Sequence, residues 1–574
     1  MLLRLNVIII LHYSLSAAVS GKIFHVKDFG AYPNDRIDDA TSIQRAVHTA
    51  IAYEGNSIVS FDSGAYNLLS TIEIFNATNL TIQGRGMHET LLVGNGSISI
   101  FYGIHCQDFI ISNISIDYYP RPFTAGFIVN LSETYADVKV EPPHETDVDR
   151  LMRSMFRYDP VLKRPAIGPN AYQIFQQPSK NDSTTVISPG VVRVPLKSRS
   201  KFVINDPVVI IYSGSAAALE FKYVTDITLQ SITIFNSWLM GIVIVRAKRL
   251  NIIDYHAKLH DDYWLSTNSD CTHITDSREY VHISNTKCQS TGDDGLAVHA
   301  VYFLVTEVIN STALLMQIFG WTDPLDIGDN TTLQFSHSEQ PFTAYMNATV
   351  ASSIANSSNL RLFVFTNELN VNIGDFACVA DSPVLIVRNY TAERIRGRGA
   401  LLQTHNIDVR QSIFNRTSAP AILFQPSLFW KDGPPARNVT LTENLFLNCN
   451  EGISQKKGII TFLPDPIQRT TIFNDISITS STFYFGNYTQ GLLQSDNVQN
   501  LFFNGNYLAI NSSTAIISIC NSRNITAANN TLVNRAHRIE QYYTYDETEP
   551  CAKNLSSLID LPPSAFNSSF SPPV

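Results

Sequence analysis

Apolar and polar residues alternate along most of this chain in short stretches, and the stretches end on Asn, Ser or Asp. Alternation with a period of two predicts half-buried β-strands. One phrase recurs: a polar residue or two, a β-branched strand, then Asn or Ser, then another strand. It appears from Asn79, Phe109, Ile227, Leu250 and Val281 in the first half. It returns from Val384, Ile407, Val439, Ile476, Asn500 and Ile525. Many neighbouring copies lie about 23 to 32 residues apart. Short strands at that period, with no helices between them, predict an all-β fold, a parallel β-helix of stacked coils. A β-sandwich would need hairpin turns every ~8 to 12 residues, and Asn-Gly or Asp-Gly turns are scarce here. Asn at the bends suits the left-handed backbone region and can bond to its neighbour in the next coil.

An open first coil exposes strand edges and needs a cap. Ile43, Val47 and Ile51 fall on one helical face within 40–53, behind Asp38 and Asp39. Either aspartate is placed to cap that helix. Two stretches, 118–223 and 301–380, lack the recurring phrase and read as β-rich insertions that leave and rejoin the solenoid. Insertions on one flank of a solenoid commonly wall a binding site. The expected division is therefore a leader at 1–20, coils at 21–117, an insertion at 118–223 and coils at 224–300. A second insertion at 301–380, coils at 381–550 and an irregular tail at 551–574 complete it.

Composition changes the picture in one respect. Only 16% of the 574 residues are charged, where about a quarter is usual. The net charge of −9 argues against a nucleic-acid partner. Arg4, the apolar run Leu5–Leu15 and the small residues 16–20 have the layout of a secretory leader cut after Ser20. No later run is long enough to span a membrane. Nineteen Asn-x-Ser/Thr sequons, from Asn76 to Asn567, fit a secreted protein whose surface is solvated by glycans rather than charges. The seven cysteines form no CxxC pair or zinc-spaced cluster, and their odd number leaves at least one unpaired within the chain.

The candidate chemistry lies in two neighbouring coils. Asp270 precedes Cys271-Thr272-His273, and Asp293-Asp294 lie in Gly292-Asp-Asp-Gly-Leu-Ala-Val-His299. The 23 residues from Asp270 to Asp293 match one coil, so the three carboxylates stack on one face. So close together they cannot all ionise cheaply, and one is expected to stay protonated beside an ionised partner. Glycosidic cleavage needs that pair. A calcium site or simple turn acids are the competing readings. His273 and His299 are placed to orient carboxylates or sugar hydroxyls. Arg398, the last of three arginines in Arg394–Arg398, either sits in solvent or turns into the cleft. Trp430, beside Phe429, offers a platform for a sugar's apolar face. Asp261-Asp262 read as a loop near the cleft.

These segments resemble glycoside hydrolase family 110, the inverting exo-α-1,3-galactosidases that remove blood-group-B-type galactose. The opening Val26-Lys-Asp-Phe-Gly-Ala31 resembles the broader pectate-lyase-like superfamily of right-handed parallel β-helices. The sharper resemblance runs through Ile114–Pro122, Asp270–His273, Gly292–His299, Arg398–Thr404, Trp430–Gly433 and Asn444–Cys449, and covers 22 to about 470. It implies a β-helix with barrel-like inserted modules, no metal or other cofactor, catalysis by Asp270, Asp293 and Asp294, and subunit association. The segments that carry it also bring in Asp117 and Gln403 as substrate-binding candidates. Two positions depart from the pattern: Ala297 stands where the family has Asn, and Ala300 where it has Gly. Polygalacturonases share a similar aspartate pattern, but their later Gly-His-Gly and Arg-x-Lys motifs are not found.

The sequence thus leads to a secreted, exo-acting, inverting hydrolase whose partner is a glycan ending in α-1,3-linked galactose. Asp270 would be the acid, with Asp293 and Asp294 on the water-activating side, or the roles exchanged. Inversion calls for acid and base carboxyls ~6.5 to 9.5 Å apart. Asp270 and Asp293, stacked in adjacent coils, would sit closer, which points to Asp294 in the pair, and a spacing near ~5 Å would point to retention. A polygalacturonase-like enzyme and a non-catalytic glycan-binding protein are the alternatives.

Overall fold

The computed structural model describes residues 21–545, apart from short internal stretches of which 319–330 is the longest. The expected leader and the 551–574 tail lie outside the described residues.

The fold is a parallel β-helix, and its period has a packing cause. One inward-facing position passes through Leu80, Phe109, Ile227, Leu250, Val281, Leu385, Ile407, Val439, Ile476, Leu501 and Ile525, each in register with the next. All are buried. A second parallel sheet stacks Ile72, Phe101, Leu219, Ile242, Thr272, Leu296, Ala400, Ile422, Ile460, Leu493 and Ile517 in the same way. Identical side chains one coil apart meet at the interstrand spacing, so aromatics stack: Phe446 lies 5.2 Å from Phe414 and 4.6 Å from Phe483.

The bends carry positive φ at Asn406, Asn438, Asp475, Asn500 and Asn524. Asn and Asp tolerate that region better than other side chains. Their side chains also link coils: Asn438 donates to Asn406 at 2.8 Å, Asn500 to Asp475 at 2.8 Å, and Asn524 to Asn500 at 3.0 Å. Ladders of this kind, built mostly of Asn, satisfy the bends with few charges.

The helix Ala40–Ile51 closes the first coils with Ile43, Ala46 and Val47 buried. Its two candidate caps divide the work. Asp38 Oδ1 accepts from the Ala40 and Leu69 N–H groups, at 3.1 and 3.0 Å. Asp39 instead accepts from Tyr32 and Asn67, at 3.0 Å each, pinning the cap to the solenoid. At the far end, strand His537–Tyr545 pairs antiparallel with Arg523–Asn534 and covers the last edge.

Two antiparallel rings interrupt the coils. In the first, Met152–Asp159, Pro207–Tyr212, Phe123–Leu131, Tyr135–Val140, Val191–Pro195 and Thr185–Ser188 pair in that order. The single bridge Leu151–Ser183 returns the path to its start. The second ring is closed by full ladders through Leu296–Asn310, Ala313–Gln317, Leu360–Phe365, Ala344–Ala355, Thr332–Ser336 and Phe376–Val379. Strand Leu296–Asn310 belongs to both bodies: its first four residues pair within the solenoid and its later ones build the ring. No helix among the described residues is long and apolar enough to cross a membrane.

Candidate active site

The three aspartates sit on turns that feed the second parallel sheet. Thr272 pairs with Leu296, so the local register is 24 residues and Asp270 aligns with Asp294 rather than Asp293. Backbone bonds confirm the alignment: Cys271 N–H donates to Asp294 O at 2.9 Å, and Asp294 N–H donates to Asp270 Oδ1 at 3.1 Å. The Cys271–Cys288 disulfide joins the two coils directly behind these turns. Cys520 is also disulfide-bonded, while Cys106, Cys378 and Cys449 are free and buried. Gly397 has to be glycine, since a Cβ there would lie 2.2 Å from Asp294 Oδ1 and 2.7 Å from Asp293 Oδ1.

One oxygen of each aspartate lies within 4.8 Å of the others. Asp270 and Asp294 are buried and Asp293 is half-buried. Burial, reinforced by the charge of Asp293, pushes the Asp270 carboxyl up to about 7. Burial also raises Asp294, against the opposing pull of Arg398. Both Asp294 oxygens are engaged, Oδ2 by Arg398 Nη2 at 2.7 Å and Oδ1 by the Arg398 N–H at 2.7 Å. Asp293 Oδ1 is buried without a hydrogen-bond partner among the described residues. The arrangement therefore offers a protonatable acid, a second, less buried carboxylate and a third carboxylate fixed by a cation. Carboxylates this close can also bridge a divalent ion, but Arg398 already occupies the oxygens that Asp294 would give it.

The remaining sequence candidates separate. His273 Nδ1 lies 2.7 Å from Asp270 Oδ2, and His273 Nε2 lies 3.0 Å from His299 Nε2. His299 Nδ1 faces Ala300 O at 3.2 Å and Asp432 Oδ1 at 3.3 Å. All four ring nitrogens are thus engaged within the protein, on carboxylates and on each other. Gln403 is in register with His299 one coil on, and its Nε2 donates to Gln425 O. Trp430 and Phe429 are exposed with rings 4.9 Å apart, on the loop that carries Asp432. Among the described residues Asp117 makes its bonds apart from the cluster: its Oδ1 accepts from Arg121, Asn236 and the Tyr118 N–H. Of the other arginines, Arg394 pairs with Glu393 at 2.8 Å. Arg396 is buried, donates to Gly292 O at 3.3 Å and lies over the Phe156 ring at 5.1 Å. Asp262 pairs with Lys163 at 3.1 Å, and Asp261 lies outside the described residues. Ala297, the departure from the family pattern, is buried with Leu401 and Leu423, in register between His273 and Leu401.

Arg153 is the site residue that the repeat pattern does not reveal. It lies on strand Met152–Asp159 of the first ring. Burial pushes its guanidinium below the usual arginine range, while the charges of Asp293 and Asp270 pull it back up. Its Nη1 is buried without a hydrogen-bond partner among the described residues. No spacing rule connects it to residues more than 110 positions later in the chain.

No family model matches the chain. It is 22% identical over 555 residues to α-1,3-galactosidase B of Bacteroides thetaiotaomicron, covering 86% of this chain and 87% of that one. It is 20% identical to α-1,3-galactosidase A of Shewanella woodyi, covering 84% and 85%. Among solved structures it is similar to the catalytic unit of a thermostable GH87 α-1,3-glucanase from Streptomyces thermodiastaticus. That match has a TM-score of 0.43 and 12% identity, and covers 89% of this chain and 64% of the other.

Proposed function

We propose that this protein is a glycoside hydrolase that removes terminal α-1,3-linked galactose from glycans. The observation that carries the reading is the pairing of a protonatable Asp270 with the less buried carboxyl of Asp293, in a chain whose relatives named α-1,3-galactosidase cover most of its length. Asp270 gives its proton to the leaving oxygen as the glycosidic bond breaks. Asp293, the least buried of the three, takes a proton from the attacking water. Asp294, clamped by Arg398, fixes the turn that carries both Asp293 and itself. The exposed Phe429 and Trp430 receive the sugar on the leaving side. Exo action is supported by the first ring, which brings Arg153 within charge range of Asp293 and Asp270 on one flank. The leader-like first 20 residues and the sequons support secretion.

Inversion is the stereochemical course that the resemblance implies. The spacing favours a second course. Oxygens within 4.8 Å fall short of the ~6.5 to 9.5 Å usual for inversion and near the ~5 to 5.5 Å of retention. On that course Asp293 attacks the anomeric carbon itself. Incubation with a panel of α-galactosides, followed by proton NMR of the first product, separates the two. β-Galactose first means inversion and α-galactose first means retention. Absence of free galactose from every member, or release of reducing ends from polygalacturonate alone, overturns the proposal.

A further inference from the structure

Four side chains form a line that ends on the acid: Asp270, His273, His299 and Asp432. The contacts are 2.7 Å from Asp270 Oδ2 to His273 Nδ1, 3.0 Å between the two Nε2 atoms, and 3.3 Å from His299 Nδ1 to Asp432 Oδ1. The two rings stand nearly perpendicular, at 87°. Proton counting constrains this line. The last gap must be filled by a proton on His299 Nδ1, because Ala300 O, 3.2 Å away, can only accept. The middle gap needs one proton between two nitrogens, and the first needs one between a nitrogen and a carboxylate. Two neutral imidazoles carry two protons for three gaps. The line is complete only with a third.

Three arrangements of three protons satisfy every gap: two extremes and, between them, a His273 imidazolium that donates to both ionised Asp270 and His299. The extremes are these. In one, Asp270 is the neutral acid and donates to His273 Nδ1, His273 Nε2–H donates to His299, and His299 Nδ1–H donates to Asp432 and Ala300 O. In the other, Asp270 is ionised and accepts from His273 Nδ1–H, and His299 is an imidazolium against the Asp432 carboxylate. They interconvert when one proton crosses from His299 Nε2 to His273 Nε2 and another from His273 Nδ1 to Asp270. No proton is gained or lost.

We infer that His273, His299 and Asp432 are a proton-holding chain that keeps Asp270 in its acid form, and that the two histidines act as positioning residues rather than sugar ligands. The inference rests on the reading of Asp270 as the acid. The cycle balances: Asp270 gives its proton to the leaving oxygen, Asp293 gains one from water, and that proton then returns to the vacant first gap. The surroundings agree. Burial lowers His273 and so favours its neutral form, although Asp432 and Asp293 raise it. The charged groups that face the pair are Asp270, Asp293 and Arg398 on the cleft side, with Asp432, Asp276 and Arg246 around the His299 end. Asp381 lines the same small cavity as His299 and Asp276. Asp276 is itself tied to the Val301 N–H at 3.0 Å and is raised by burial, so it adds little negative charge there.

The test is a carbon-13 NMR titration of the Asp270 carboxyl, assigned with Asp270→Asn, in the wild type, His299→Phe and His299→Gln. Without an acceptor at position 299, His273 turns its proton to Nδ1 and donates to ionised Asp270. The carboxyl of His299→Phe should therefore titrate at least one unit below the wild type. The glutamine carbonyl can accept from His273 Nε2–H and should recover most of the shift. An unchanged Asp270 titration in His299→Phe overturns the inference, as does an equal shift in His299→Gln. Kinetics on the same proteins supply a second readout. His299→Phe should lose at least tenfold on a galactosyl disaccharide but less than about threefold on 4-nitrophenyl α-galactoside, whose leaving group needs little protonation. Equal losses on both would indicate packing alone and contradict the chain. Failure of the wild type to release galactose would count against the proposed function, whereas the carboxyl titration judges the proton chain without any turnover.

Discussion

The two insertions both close a path of six strands, the first with Arg164–Pro165 and Phe175–Gln176 added to its sheet, yet they stand in different relations to the site. The second has its own core, with Phe303, Leu314, Leu333, Val350 and Phe363 packed inside it and away from the solenoid cluster. Among the described residues it meets the aspartates through the strand that leaves the Asp293-Asp294 turn. The first ring is welded to the cleft. Its Phe123, Phe156, Tyr158 and Ile211 share one cluster with Trp264 and Leu265, on the segment leading to Asp270. Tyr158 stacks on Trp264 at 5.3 Å. Arg164 reaches across to Glu451 at 2.9 Å, with both groups buried. The difference teaches that a module becomes part of a site by surrendering its core to the site, not by being inserted beside it.

Substitutions can break that contrast. Of the ring substitutions, the largest effect on turnover should come from the first ring: Arg153→Ala removes the positive charge acting on Asp293 and Asp270, and should lower kcat/KM about a hundredfold. Michaelis kinetics on an α-galactoside, with a circular-dichroism check of the fold, would show it. Arg164→Ala comes next. It leaves Glu451 buried without its cation and should cost about 3 to 5 kcal/mol, seen as a lower urea midpoint, with about a tenfold loss of activity as the ring loosens. The second ring should behave differently. Phe363→Ala leaves a cavity worth about 3 to 5 kcal/mol and should leave kcat within about twofold below its melting temperature. A tenfold loss there would erase the distinction between the rings.

The smallest expected effect concerns pH. Arg153 is among the charges that lower Asp270, while burial and Asp293 hold it near 7. The acid works only while protonated, so activity should fall as pH rises through about 7. Removing the cation raises the acid further. Arg153→Gln should therefore move the alkaline limb of kcat/KM upward by a fraction of a unit, and Phe363→Ala should leave it in place.

What the sequence made legible follows the same divide. The coils could be read because stacking requires each inward position to repeat, as it does from Leu80 to Ile525. The aspartates could be read because one coil of spacing separates Asp270 from the Asp293-Asp294 pair. The exact neighbour was off by one, since the Thr272–Leu296 register aligns Asp270 with Asp294. Arg153 was hidden because an antiparallel ring imposes no period on the solenoid that it touches. Asp432 stood in a quoted motif, but its role depends on a loop that folds back to pair with Ala300 and Val301. Local pattern carries no sign of that return.

The central claim is that Asp270, Asp293 and Asp294 together release galactose. It is tested most directly by assaying free galactose from an α-1,3-linked galactosyl disaccharide, with the wild type and Asp270→Asn side by side. The account predicts release by the wild type and a loss of at least about a thousandfold in the variant, which keeps the shape of the side chain but has no acid proton to give. Release that is undiminished in Asp270→Asn, or no release by the wild type, would contradict it.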